Sequence, residues 1–397
     1  FFLYLYCIER AKIMWFKNHP MIIFGMFQFI QKQKDFDFIL KQMEQCSIYG
    51  LDTEFIKVDT LWPKLGVFQI NVNDRVYLLD GTSLDFNQFW DKIFAAKQNI
   101  FHACGEDIDL IYHYAGQKNL NNVFDTQVAL SFLGYGLQVS YQNALKTLLN
   151  IDIDKDQTRS DWLARPLSQE QLTYAANDVL YLMQLAEKIK HELVSKGLLD
   201  WVIEDCRHLT EEIGQSTPQE LLYQDVGNYR HSRRQLMQLQ RLALWRDELA
   251  KALNIPKSFV LKNSSLMDLV EKNPRNPYLL AAIKDIRPNI VREYGKTILA
   301  LLQDLPEPEH WPEKLPRPMR ASKELSDKIE QVLNQAVTQT GIPKEVLMRK
   351  KWMNALYQHV ISNSDRNSLP AYLLGWRDAL MTQPLIEVLA HDLLRRA

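Results

Sequence analysis

Short apolar runs alternate with amphipathic stretches from about residue 26 to residue 204, and the alternation changes character beyond residue 210. Runs with a period of two, or wholly apolar, predict strands near 47–53, 65–71, 75–80 and 99–103. Apolar positions recurring every three to four residues predict helices near 35–45, 86–96, 106–115, 126–133, 140–149, 168–194 and 197–203. Such alternation implies an α/β domain, a mixed sheet flanked by helices, over 26–205. Past residue 210 the strand pattern disappears. Two helical blocks follow, about 215–300 and 320–397, separated by a proline-rich linker over 301–319. Proline at that density cannot continue a helix and makes a semi-rigid spacer. A faint echo links the blocks: Ile255-Pro256-Lys257 before an apolar turn, then Ile342-Pro343-Lys344 before another.

Onto this frame fall three acidic segments. The strand Ser47–Leu51 runs into Asp52-Thr53-Glu54. Side chains two apart on a strand share a face, so Asp52 and Glu54 aim together while Thr53 turns away. Asn99–Ala103 reads as a second strand, and Asp107 falls in the first turn of the helix after it, where a carboxylate suits the positive end of the helix dipole. Tyr174 and Asp178 lie one turn apart on a later helix and share its face. Four carboxylates without clustered His or Cys favour Mg²⁺ or Mn²⁺ over zinc. A pair of such ions can hold the attacking and leaving oxygens of a phosphoryl displacement. A tyrosine of ordinary pKa, about 10, is a poor base at neutral pH, so Tyr174 is expected to orient water.

These segments, Leu51–Phe55, Phe101-His102-Ala103 with Glu106-Asp107, and Tyr174–Val179, resemble the three exonuclease motifs of the DEDD superfamily, tyrosine subclass. Ser160–Leu167, with Phe124–Gln127 and Leu65–Ile70, makes the chain similar to the bacterial ribonuclease D family from about Met26 to the C-terminus. Leu244–Ala250 and Gly375–Asp378 mark segments that look like HRDC domains, the nucleic-acid-binding modules of helicases and that family. The resemblance implies a ribonuclease H-like exonuclease domain followed by two small all-α domains. It implies two divalent ions held by Asp52, Glu54, Asp107 and Asp178, with Asp52 bridging both. It also implies 3′–5′ hydrolysis of RNA to nucleoside 5′-monophosphates, with tRNA precursors and other small structured RNAs as substrates. A DNA exonuclease of the same superfamily is the alternative; a non-catalytic RNA scaffold would be expected to have lost a carboxylate, and none is lost.

Several residues have plainer readings. His102, inside an apolar strand, reads as a core histidine, and Asp109 as a solvated helix residue. Asp125 reads as a helix cap. Asp161-Trp162 and Arg165-Pro166 brace the helix of Asp178, with Arg165 left between bracing and phosphate contact. Trp245 and Arg246 read as structural. Arg230, His231, Arg233, Arg234, Arg241 and Arg349–Lys351 form basic groups that could follow phosphates. The net charge of −1, from 47 basic and 48 acidic residues, changes nothing, because acidic sites and basic faces cancel. Cys7, Cys46, Cys104 and Cys206 are scattered without a Cys-x-x-Cys pair, which fits free thiols in a cytoplasmic enzyme, expected to act as a monomer. The apolar start Phe1–Ile8 is far short of the ~20 residues that span a bilayer. Residues 1–25 are expected to be a mis-set start or a dispensable extension, and the loop 155–159 to lie mobile near the substrate path.

Overall fold

The apolar runs pair into one six-stranded mixed sheet, ordered β1-β4-β3-β2-β5-β6. The computed structural model describes residues 27–153 and 160–396, so the expectations for 1–25 and 155–159 lie outside the described residues. The strands are β1 Phe27–Ile30, β2 Ile48–Ile56, β3 Lys64–Val72, β4 Arg75–Asp80, β5 Gln98–Phe101 and β6 Val123–Asp125. β2 pairs antiparallel with β3 and parallel with β5, so it sits centrally with its acidic residues toward its C-terminal end. β3 pairs antiparallel with β4; β1 and β6 close the edges in parallel.

Helices cover both faces. On one lie α1 (Gln33–Met43), α2 (Asn87–Ala95) and α3 (Gly105–Ala115), whose Phe36, Phe89 and Ile108 pack with Leu51, Phe68 and Ile70 of the sheet. On the other, α4 (Thr126–Phe132), α5 (Tyr141–Leu149), α6 (Gln169–Leu180) and α7 (Leu182–Ser195) bury Ala175, Val179 and Leu182 with Val67, Leu78 and Ile100. The helix expected over 168–194 is in fact two, broken at Tyr181 (φ −103°, ψ 2°). That over 197–203 extends further, as α8 (Leu199–Gly214). β1 and β6 were not expected.

The first helical block comprises α9 (Arg233–Leu253), α10 (Lys257–Val260), α11 (Asn263–Lys272), α12 (Pro277–Ala281) and α13 (Pro288–Gln303), around a core of its own. Trp245 packs edge-on against Tyr294, and Arg246 is buried, donating to the Leu261 carbonyl and Asn263, so both are structural. The second block, α14 (Lys323–Thr340), α15 (Lys344–Leu347), α16 (Lys350–Ser362) and α17 (Gln383–Arg396), shares a continuous apolar core with the sheet domain. There Arg377 makes a bidentate pair with Asp205 of α8 at 2.6 and 2.7 Å, both buried. Trp376 stacks on Trp201 at 4.6 Å.

Candidate active site

β2 delivers Asp52 and Glu54 to the face covered by α6, and α6 brings Asp178 to meet them. Ligand oxygens of these three carboxylates all lie within 4.8 Å of one another, on side chains that remain partly exposed. α6 is anchored by a capping box at Ser168 and Gln171, and its C-terminal end by Asn71 of β3, which donates to the carbonyl of Val179 at 3.0 Å. Trp162, fully buried, lies 6.1 Å from the Tyr174 ring.

Asp107 reaches the site from the opposite layer. It sits in the first turn of α3, buried, and accepts a hydrogen bond from the Thr53 hydroxyl, so the residue that turns away from Asp52 and Glu54 holds the fourth acid. The structure thus brings Asp52, Glu54 and Asp178 together directly, with Asp107 outside that group of three but within electrostatic reach of it. The start of α3 is held in turn by Asp125. Its carboxylate caps α4 and also accepts from the backbone N–H groups of Ala103 and Cys104 at 3.0 and 2.8 Å. Ala103 has φ 65°, a left-handed conformation costing about 1–2 kcal/mol for an L-residue, and these contacts hold it there. Asp125 caps as expected but does more, and Thr53, which turns away from Asp52 and Glu54, holds Asp107; contacts across two layers leave no mark in a linear pattern.

Crowding like charges away from water raises every carboxyl. Asp52 is pushed well up by burial, then by Asp107, Asp178 and Glu54. Glu54 rises to about 9 through burial and the charges of Asp178 and Asp107. Asp178 rises to about 8 through burial and Asp107. Asp107 rises only to about 6, because Thr53 opposes the effect of its burial. Tyr174 is half-buried and is also driven up, by burial and then by Asp178, Glu54 and Asp52, so its phenol keeps its proton at neutral pH. Hard carboxylate oxygens at this spacing, each costly to ionise alone, fit a divalent cation site.

The plainer readings are settled by contacts. His102 engages Thr126 and the Val139 carbonyl at 2.8 Å each, as a structural histidine does. Asp109 pairs with Lys57 at 3.1 Å. Arg165 is a brace: it grips Asp80 and donates to the carbonyls of Gly66 and Trp162 at 2.9 Å, which commits its guanidinium. Arg233 donates to the carbonyls of Trp311 and Pro312, and Arg241 to that of Leu301, so these two pin the linker and α13. His231 is buried and accepts from the Asn228 N–H, and Lys351 pairs with Glu212. Arg230, Arg234, Arg349 and Lys350 are exposed.

A family model for 3′–5′ exonucleases matches residues 27–194, which places the sheet domain in that class of enzyme. An HRDC-domain model matches 235–302, and one for the C-terminal HRDC domain of ribonuclease D matches 321–385. Ribonuclease D of Pseudomonas paraeruginosa is 34% identical over 347 residues, covering 86% of this chain and 91% of that protein. That of a Shewanella species is 31% identical over 392 residues, covering 96% and 100%. The crystal structure of Escherichia coli RNase D, described as an exoribonuclease involved in structured RNA processing, superposes with a TM-score of 0.85. Its identity is 26%, over 92% of this chain and 99% of that one. The chain belongs to the ribonuclease D family. Among the described residues, no helix is long and apolar enough to cross a membrane.

Proposed function

We propose that this chain is a 3′–5′ exoribonuclease that trims the 3′ ends of small structured RNAs, tRNA precursors among them, one nucleotide at a time. Water attacks the last phosphodiester, the P–O3′ bond breaks, and a nucleoside 5′-monophosphate leaves a strand with a new 3′-hydroxyl. The observation that carries this reading is the meeting of Asp52, Glu54 and Asp178 from β2 and α6. With Asp107 these would hold two divalent ions, Mg²⁺ or Mn²⁺. When bound, the ions supply activation of the water and neutralisation of the departing oxygen. Tyr174, kept protonated by burial and by its acidic neighbours, donates a hydrogen bond and fixes the direction of approach. Thr53 and Asp125 hold Asp107 and its helix in register. The sheet domain over 26–205 is the catalytic unit, and the helical modules over 215–300 and 320–397 contact RNA. The enzyme works as a cytoplasmic monomer in this reading.

Matched RNA and DNA oligonucleotides labelled at the 5′ end test it. In Mg²⁺ the RNA shortens stepwise from its 3′ end with monophosphate release, and the DNA does so more slowly. Internal cleavage, or a preference for DNA, would overturn the assignment.

A further inference from the structure

β3 carries two fully buried amides, Gln69 and Asn71, in a run otherwise built of Val67, Phe68, Ile70 and Val72. Asn71 has an evident task, since its side-chain nitrogen ties the strand to the turn after Asp178. Gln69 has none: among the described residues, neither its nitrogen nor its oxygen has a hydrogen-bond partner. A buried amide without partners costs stability that an apolar side chain of the same shape would not, so a retained one calls for a reason.

The strand register supplies it. Gln69 lies directly across the antiparallel ladder from Asp52, and Val67 lies across from Glu54. Residues opposed in this way project from the same face with Cβ atoms roughly 5 Å apart. The amide therefore stands beside Asp52, on the face closed by α6. An amide can donate two hydrogen bonds to such a neighbour without adding charge.

We propose that Gln69 is a positioning residue for the cation site: unpartnered in the metal-free protein, its side-chain NH₂ donates to the Asp52 carboxylate when a cation is bound and so fixes that ligand's orientation. The inference rests on the cation-site reading above. Ligating carboxylates are themselves hydrogen-bonded, and loss of such a partner typically costs about 10- to 100-fold in metal affinity.

Calorimetric titration of Mn²⁺ into the full-length protein tests it, using wild type, Gln69→Met and Asp178→Asn. Gln69→Met keeps the volume and removes both amide groups. It is expected to unfold, without metal, at a temperature no lower than wild type, and to bind Mn²⁺ about 10- to 100-fold more weakly. A role in packing alone would move the unfolding temperature and leave the affinity of the folded protein untouched. Should Gln69→Met fail to fold, Gln69→Asn, which keeps the amide but withdraws it by one methylene, is expected to show the same loss. Wild-type affinity in a folded Gln69 variant overturns the inference while leaving the cation site standing. No Mn²⁺ binding by wild type overturns both.

Discussion

Replacing Asp178 by Asn is expected to stabilise the metal-free protein while it disables the enzyme. The Asp178 carboxyl is raised from 3.8 to about 8 by burial and by the charge of Asp107. A group whose folded pKa is raised holds its proton in the native state after the unfolded chain has released it. Stability is therefore lost as pH rises, from nothing below about pH 4 to the full effect above about pH 8. The slope is about 1.4 kcal/mol per pH unit, so at pH 7 the acid destabilises the native state by on the order of 4 kcal/mol. Asn is neutral in both states and lacks this term. Thermal unfolding in EDTA is expected to give Asp178→Asn a higher midpoint at pH 7, by on the order of 10 °C at the usual 2–4 °C per kcal/mol for a unit of this size. The gap closes toward pH 4. In saturating Mg²⁺ the same variant loses turnover by orders of magnitude. An Asn variant no more stable at pH 7, or a gap equal at pH 4.5 and pH 7, refutes the reasoning.

Other perturbations separate the parts of the site. Tyr174→Phe removes one hydrogen-bond donor and is expected to lower single-turnover hydrolysis by about 10²-fold with Mn²⁺ affinity unchanged. Thr53→Val leaves the buried Asp107 without its partner; urea unfolding is expected to show a loss of about 1–3 kcal/mol. Asp205→Asn leaves the Arg377 guanidinium buried without its counter-charge. It is expected to destabilise the joint between α8 and the C-terminal module by about 3–5 kcal/mol, read as earlier unfolding with Trp201 and Trp376 fluorescence as the probe.

The central strands, the helices around them and the positions of Asp52, Glu54, Tyr174 and Asp178 were legible in the sequence because period and spacing encode which side chains share a face. β1 and β6, at four and three residues, are too short for a period to stand out. The break at Tyr181 carries no proline or glycine, so Leu172–Leu182 reads as one helix; the interruption coincides with Asn71 reaching the carbonyls of Val179 and Leu180. What the pattern could not supply were contacts across layers. Thr53 on Asp107, Asp125 on the turn before α3, and Arg233 on the linker each join residues at least 21 positions apart. Basic residues were the least legible group, because an arginine that follows phosphates and one that ties down carbonyls are the same letter. The C-terminal module is likewise not a detachable binder: deleting 320–397 would expose the α8 surface covered by Trp376 and Arg377, so its share in RNA affinity is better read from an exposed site such as Lys350.

Hydrolysis at this site requires a divalent cation seated among its carboxylates. Crystals soaked in Mn²⁺ and measured for anomalous scattering are expected to show density bounded by the carboxylates of Asp52, Glu54 and Asp178, and none there in Asp178→Asn crystals. Wild-type crystals at saturating Mn²⁺ with no anomalous peak among those three side chains would contradict it.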